Sequence, residues 1–276
     1  MPQPMIADRA ALLDGLALAA REAGAAIMVI FDAGFEVMHK ADASPVTAAD
    51  CAAEAIILAA LKRLAPNVPV VAEEEAAAGR IPDVQGCFFL VDPLDGTKEF
   101  VRRGTDFTVN IGLIEGGVPT LGVVYAPVRG TLYVGDVARG VAWRVQDGQT
   151  EHVDLHVRTP ADPPVAVASK SHDTPQTEAY LTVCKCGKRV SIGSSLKFCL
   201  LADGEADFYP RPAPTYEWDT AAGQAVLDAA GGAVYDLEGA PFRYGKPNFF
   251  NPGFLAVGGL RDLPALGSCK LKAAEA

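Results

Sequence analysis

An apolar run that ends in acid constrains this chain more than any other stretch. Cys87 to Val91 is uniformly hydrophobic and leads directly into Asp92-Pro93-Leu94-Asp95-Gly96-Thr97-Lys98-Glu99-Phe100. Such a run predicts a buried strand. The strand is expected to stop at the two aspartates, which lie three residues apart around a proline. Pro93 fixes its own φ and pushes Asp92 into extended backbone. Both carboxylates can then face one point beyond the strand end. Gly96 permits a turn or a close backbone approach that a side chain would block. Thr97 adds a hydroxyl, and a short helix starting there presents free N–H groups. Two hard anionic ligands beside such a helix start suit a magnesium ion holding a phosphate. The plain alternative is an Asp/Pro/Gly turn after a strand.

Other polar segments raise the same choice between a local structural role and a chemical one. Glu73-Glu74-Glu75 follows the run Val68 to Ala72, which reads as a second strand. A charge run of this kind is usually a solvated loop. Asp219, in Glu217-Trp218-Asp219-Thr220-Ala221-Ala222-Gly223, stands at the expected start of a helix, where Asp is also a favoured N-cap. Thr47 and Asp50 have the spacing of a capping box. Ser169-Lys170-Ser171-His172 follows a strand. Gly193-Ser194-Ser195-Leu196-Lys197 opens a helix whose amides suit a phosphate, with Lys197 as a point charge. Arg211, after Tyr209-Pro210, can grip a phosphate through two donors. The bland readings of these three are a polar loop, a cap with a surface lysine, and a surface arginine.

The punctuation of the chain predicts two unlike halves. Asp8 caps a long helix ending near Gly34, and a second helix runs from Ser44-Pro45-Val46-Thr47 to about Leu64. Phe107 to Ile114, Thr120 to Ala126, Thr131 to Asp136 and Val141 to Val145 form an antiparallel meander broken by glycine turns. This first half, residues 1–153, is α+β. The polar stretch Asp154 to Pro164 holds three prolines and marks the boundary. Residues 154–276 alternate strand and helix, with a helix from about Asp219 to Ala230, which argues for an α/β layer.

Composition limits the partners. Half of the 276 residues are hydrophobic, enough for a sizeable core. No run of about 18 uncharged apolar residues predicts a transmembrane helix. Met1 to Arg9 has no basic region before a long apolar stretch and does not read as a signal peptide. The net charge of −10 disfavours a nucleic-acid polymer. It is compatible with a small phosphorylated substrate, because bound metal reverses the local sign. The six cysteines are scattered and read as free thiols in a reducing cytoplasm. Cys184-Lys185-Cys186 lacks a second pair at zinc spacing.

Together, the segment Val91 to Phe100, the glutamate run and Trp218-Asp219-Thr220-Ala221-Ala222-Gly223 resemble the motifs of the magnesium-dependent, lithium-sensitive phosphatase superfamily of inositol monophosphatase. Val91 to Phe100 looks most like its 3'(2'),5'-bisphosphate nucleotidase branch. The resemblance covers about Ala10 to Val257 and implies an α-β-α-β-α layered sandwich with one active site shared by the two halves. It implies that Glu73, Asp92, Asp95 and the Leu94 carbonyl hold magnesium, that Asp219 completes a second ion, and that a third lies near Asp50 and Glu74. Catalytic roles fall to Asp50, Thr97 and Glu73, with Thr97 and Asp50 orienting the attacking water. Gly96 and Thr97 hold the phosphate, while His172, Ser194, Lys197, Arg211 and Asp219 bind the rest of the substrate. The implied reaction is hydrolysis of the 3'-phosphate of adenosine 3',5'-bisphosphate to AMP, in the cytoplasm. An inositol or broad sugar phosphatase on the same machinery is the alternative, followed by a non-catalytic metal- or nucleotide-binding relative. Oligomeric state is not fixed by the sequence.

Overall fold

The computed structural model describes residues 6, 8–39, 45–168 and 174–268. Helix α1 (Arg9–Ala33) starts at Asp8, whose carboxylate accepts from the Ala11 amide. Strands β1 (Met38–His39) and β2 (Pro45–Val46) form a small antiparallel ladder before α2 (Ala48–Leu64). Thr47 and Asp50 close the expected capping box of α2. Strand β3 (Val70–Ala72) runs directly into the short helix α3 (Glu73–Ala77). Strand β4 (Cys87–Asp95) then leads into α4 (Thr97–Val101). The meander follows as β5 (Thr108–Glu115), β6 (Val118–Ala126), β7 (Thr131–Asp136), β8 (Val141–Gln146) and β9 (Val153–Asp154). The sheet has the order β3-β4-β5-β6-β7-β8-β9, parallel at β3/β4 and antiparallel beyond.

The rest of the chain builds a second sheet. It comprises β10 (Val165–Ala168), α5 (Pro175–Val183), β11 (Lys188–Ser191), α6 (Leu196–Ala202), β12 (Phe208–Arg211), β13 (Thr215–Tyr216), α7 (Ala221–Ala229), β14 (Ala233–Tyr235), β15 (Phe250–Asn251) and β16 (Phe254–Val257). The order β11-β10-β12-β16-β14 is parallel at β10 and antiparallel at β16. Strands β13 and β15 pair separately.

Strand alternation sorts these elements into layers. Phe89 and Val91 of β4 join Leu16 and Ile27 of α1 and Ile57 of α2 in one buried cluster. Phe88 and Leu90 face the other way, toward Phe198 and Leu201 of α6, Ala222 and Val226 of α7, and Phe254 and Ala256 of β16. Phe208, Leu255 and Val257 turn outward to Tyr180 and Leu181 of α5. The order is therefore helices, sheet, helices, sheet, helix. Central strands covered on both faces, such as β4 and β5, read as continuous apolar runs, whereas the edge strand β11 is polar and exposed.

The central helix α7 sits unusually close to the first sheet, and three glycines explain it. Gly112, Gly122 and Gly135 lie side by side across β5, β6 and β7. A Cβ at Gly122 would meet the Ala222 carbonyl oxygen at 2.3 Å, and one at Gly135 the Ala225 carbonyl oxygen at 2.7 Å. The glycine row is a trough, and the alanines of α7 lie in it.

Strand β4 takes in both aspartates and ends at Asp95, with Asp92 opposite Asn110 and Asp95 opposite Thr108. Three residues on β4 thus span two on β5, a bulge of one residue, where the missing N–H of Pro93 breaks no ladder bond. The helix expected from Asp219 begins at Ala221, after a 3-10 turn over Glu217–Asp219.

Candidate active site

The bulge decides the site. Residues three apart on a regular strand point to opposite faces. One extra residue brings Asp95 back to the face of Asp92, the same face as Asn110 and Thr108 on β5. That face looks toward the second half. Gly96 follows at φ 93°, and a Cβ there would also press on the Asp106 carbonyl oxygen at 3.0 Å. Only glycine turns the chain here without strain.

A cleft of about 230 Å³ opens on these residues. Its walls include Glu73 from α3, Asp92, Leu94 and Asp95 from β4, and Gly96 to Glu99 from the α4 start. The second half contributes Gly193, Ser194, Lys197, Tyr209, Arg211, Thr215 and Asp219. Candidates from segments far apart in the chain therefore meet in one place.

Asp92, Asp95 and Asp219 each accept from a backbone amide through one oxygen. Asp92 Oδ1 accepts from the Leu94 amide at 3.0 Å. Asp95 Oδ2 accepts from the Ser195 amide and from Ser194 Oγ, both at 2.7 Å. Asp219 Oδ2 accepts from the Tyr216 amide at 2.8 Å. Asp219 is therefore not the N-cap of α7; it closes the preceding 3-10 turn. Asp50 Oδ2 accepts from the Thr47 amide and hydroxyl at 2.8 Å, while Oδ1 accepts from Thr97 Oγ1 at 3.3 Å. Its capping role and its contact with Thr97 coexist. Thr97 Oγ1 also lies 3.2 Å from the Leu94 carbonyl oxygen.

Burial and mutual repulsion push the carboxyls of Asp92 and Asp219 well above the usual range. Burial is the largest cause for both. For Asp92 the charges of Glu73, Asp95 and Asp219 follow; for Asp219, those of Asp95 and Glu73. Four acids thus face one another across the cleft, and a divalent cation is the partner that relieves all four at once. Among the described residues no three acidic, thiol or imidazole side chains are already drawn into a closed ligand cluster. The donor set, all hard oxygen with the Leu94 carbonyl among it, fits magnesium.

The three glutamates separate clearly. Glu73 lines the cleft, whereas Glu75 pairs with Arg80 at 2.5 Å in solvent. Glu74, the neighbour of Glu73 on α3, is not among the residues that line the cleft. Its amide and that of Glu75 are received by the buried Glu54 at 2.8 and 3.0 Å. Burial pushes Glu54 up to about 7.

The expected phosphate donors need correction too. The Ser195 amide is not free, because Asp95 already occupies it. Lys197 is not a surface lysine: it is 5 % exposed and donates to the Ser194 carbonyl at 2.6 Å. Burial brings it down to about 8. Arg211 lines the cleft with its guanidinium near the Ala213 and Pro214 carbonyls, at 3.2 and 3.4 Å. His172 and the rest of Ser169–His172 lie outside the described residues. Sequence reasoning missed Thr108, Asn110 and Glu54, and it read the Ser195 amide as a phosphate donor where it serves Asp95. The one available signal was Thr108-Val109-Asn110, two polar residues on one face of an apolar strand.

A sequence profile of the inositol monophosphatase family matches residues 8–257, and the chain belongs to that family of metal-dependent phosphatases. It is 47% identical over 246 residues to the 3'(2'),5'-bisphosphate nucleotidase CysQ of Escherichia coli (strain K12), covering 88% of this chain and 98% of the relative. The crystal structure of CysQ from Bacteroides thetaiotaomicron, described as a bacterial member of the same family, matches with a TM-score of 0.75 at 38% identity. It covers 90% of this chain and 97% of that one. An inositol monophosphatase from Anabaena matches with a TM-score of 0.70 at 25% identity, over 94% and 98% of the two chains. No helix among the described residues is long and apolar enough to cross a membrane.

Proposed function

We propose that this chain is a cytoplasmic 3'(2'),5'-bisphosphate nucleotidase that releases the 3'-phosphate of adenosine 3',5'-bisphosphate to give AMP. One observation carries the reading: an acidic wall of Glu73, Asp92, Asp95 and Asp219 shares its cleft with the basic groups Lys197 and Arg211. The acids and the Leu94 carbonyl hold the metal. When bound, magnesium ions, two or three per cleft, neutralise phosphate charge and make water a readier nucleophile.

The chain's own residues do the rest. Asp50 fixes the Thr97 hydroxyl through Oδ1, while its other oxygen stays locked to Thr47. The Thr97 oxygen accepts a hydrogen bond from the attacking water and sets its line of approach. The proton passes through Thr97 Oγ1 toward Asp50 Oδ1. The amides of Gly96 and Thr97, at the start of α4, face the phosphate oxygens. Arg211 holds the second, non-reacting phosphate as a planar fork. Lys197 supports it by fixing the Ser194 turn.

An inositol or sugar phosphatase would need a carboxylate placed for polyol hydroxyls several residues ahead of Trp218, where Arg211 lies instead, and Glu217 is adjacent to Trp218. Glu217 is fully buried and accepts from the amides of Gly245 and Lys246 and from Lys246 Nζ, at 2.8 to 2.9 Å. It is therefore committed to structure and lies outside the cleft wall. The test is one assay series with magnesium, comparing adenosine 3',5'-bisphosphate, inositol 1-phosphate and fructose 1,6-bisphosphate. The nucleotide is expected to have the highest kcat/KM; preference for either of the others replaces this reading.

A further inference from the structure

The acid wall is stitched to the second half by a buried polar network that no motif announced. Asn110, 1 % exposed, donates from Nδ2 to Asp95 Oδ2 at 3.3 Å. Its Oδ1 accepts from Ser195 Oγ at 2.7 Å and from Thr108 Oγ1 at 3.0 Å. Thr108 Oγ1 also lies 2.5 Å from Ser194 Oγ and 2.8 Å from Ser195 Oγ. Thr108 and Ser195 are themselves buried. Ser194 holds φ 58°, a left-handed conformation that costs a residue other than glycine some energy. The network over-determines that turn.

The orientation of Asn110 is forced. Two hydroxyls converge on its carbonyl oxygen, and a carboxylate, which only accepts, faces its amide nitrogen. The reverse orientation would set oxygen against oxygen. Asp95 Oδ2 consequently receives three donors, from Ser194 Oγ, the Ser195 amide and Asn110 Nδ2. Oδ1 receives no hydrogen bond among the described residues. One oxygen is the anchor and the other is available to the cleft.

We infer that Asn110 is a positioning residue that acts through Asp95. It fixes the anchored oxygen of Asp95 against the Ser194-Ser195 turn and so aims the other oxygen at the metal. Thr108 and Ser195 complete the same device. Because Thr108 and Asn110 come from β5 and the serines from the loop entering α6, the metal site is set only when the two halves are docked. This inference rests on the reading of Asp95 as a metal ligand.

The test is a manganese titration of the substrate-free protein, followed by electron paramagnetic resonance. The proteins are wild type, Asn110→Leu, Asp95→Asn, and the double variant. Outer partners of metal ligands typically contribute 10- to 100-fold in affinity. Asn110→Leu should weaken manganese binding by about tenfold or more, and Asp95→Asn should weaken it as well. In the Asp95→Asn background, Asn110→Leu should change affinity by less than about twofold, because its route to the metal is gone. Equal losses in both backgrounds would make Asn110 merely structural and overturn the inference. Unchanged affinity in Asn110→Leu would overturn it too. Wild-type affinity in Asp95→Asn would instead remove the ligand reading beneath it. Thr108→Val, which keeps side-chain volume, provides the same cycle if Asn110→Leu fails to fold.

Discussion

Asp92 is a buried carboxyl that the proposed site would use as a metal ligand. It is 2 % exposed, and burial plus three neighbouring acids push its carboxyl well above the ordinary range. Asp92→Asn keeps the shape and removes a like charge, so the metal-free variant should melt no lower than wild type. Turnover with magnesium should fall by about 10²–10⁴, since an amide is a poor ligand for a hard cation. Circular dichroism melting and steady-state assays check the two halves of that statement. Asp228 on α7 provides a contrast away from the cleft. Burial pushes it up to about 7, partly offset by a hydrogen bond from Gln224. Its folded pKa lies above the unfolded value of 3.8. The protonated form therefore contributes stability that is complete at low pH and lost as pH rises through about 7. Asp228→Asn does not titrate. Its melting temperature relative to wild type should rise between pH 5 and pH 8, by at least about 2 °C. A constant difference across that range would mean Asp228 is solvated.

At the scale of elements, the glycine row and the β4 bulge place the acids. Gly122→Ala would drive a methyl group into Ala222 and Ala225 of α7. Overpacking of this kind costs about 1–3 kcal/mol, readable by urea denaturation. Lifting α7 also lifts the turn that carries Asp219, so the magnesium concentration for half-maximal activity should rise. A destabilised variant with unchanged magnesium dependence would separate the trough from the site. These elements also show what the sequence could reveal. The helices α1 and α2, the meander and the caps at Asp8 and Thr47 were legible from periodicity and cap chemistry. The bulge was not, because a strand pattern carries no mark of one extra residue until its partner strand is known. The 3-10 turn before α7 was hidden for a similar reason. Asp219 has the look of an N-cap, and only the Tyr216 amide shows which turn it closes.

At the scale of the whole molecule, neither half holds the site alone. Glu73, Asp92 and Asp95 come from the first sheet and its connections, while Asp219, Lys197 and Arg211 come from the second. The motifs pointed to acids that the structure brings to one cleft, because carboxylates able to hold a metal are few and clustered in the sequence. Thr108 and Asn110 escaped because neutral polar residues inside an apolar run look like ordinary strand positions, and Glu54 because one acid in an alanine-rich helix looks like a solvated position. The proposed function implies a direction for the substrate, with the reacting phosphate on the acidic wall and the second phosphate at Arg211. Product identity tests this most directly. Adenosine 3',5'-bisphosphate is incubated with the protein and magnesium, and the nucleoside product is separated by chromatography against AMP and adenosine 3'-phosphate standards. The structure predicts AMP and one equivalent of inorganic phosphate, with none formed when magnesium is chelated. Adenosine 3'-phosphate as the product, or release of phosphate without any divalent metal, would contradict it.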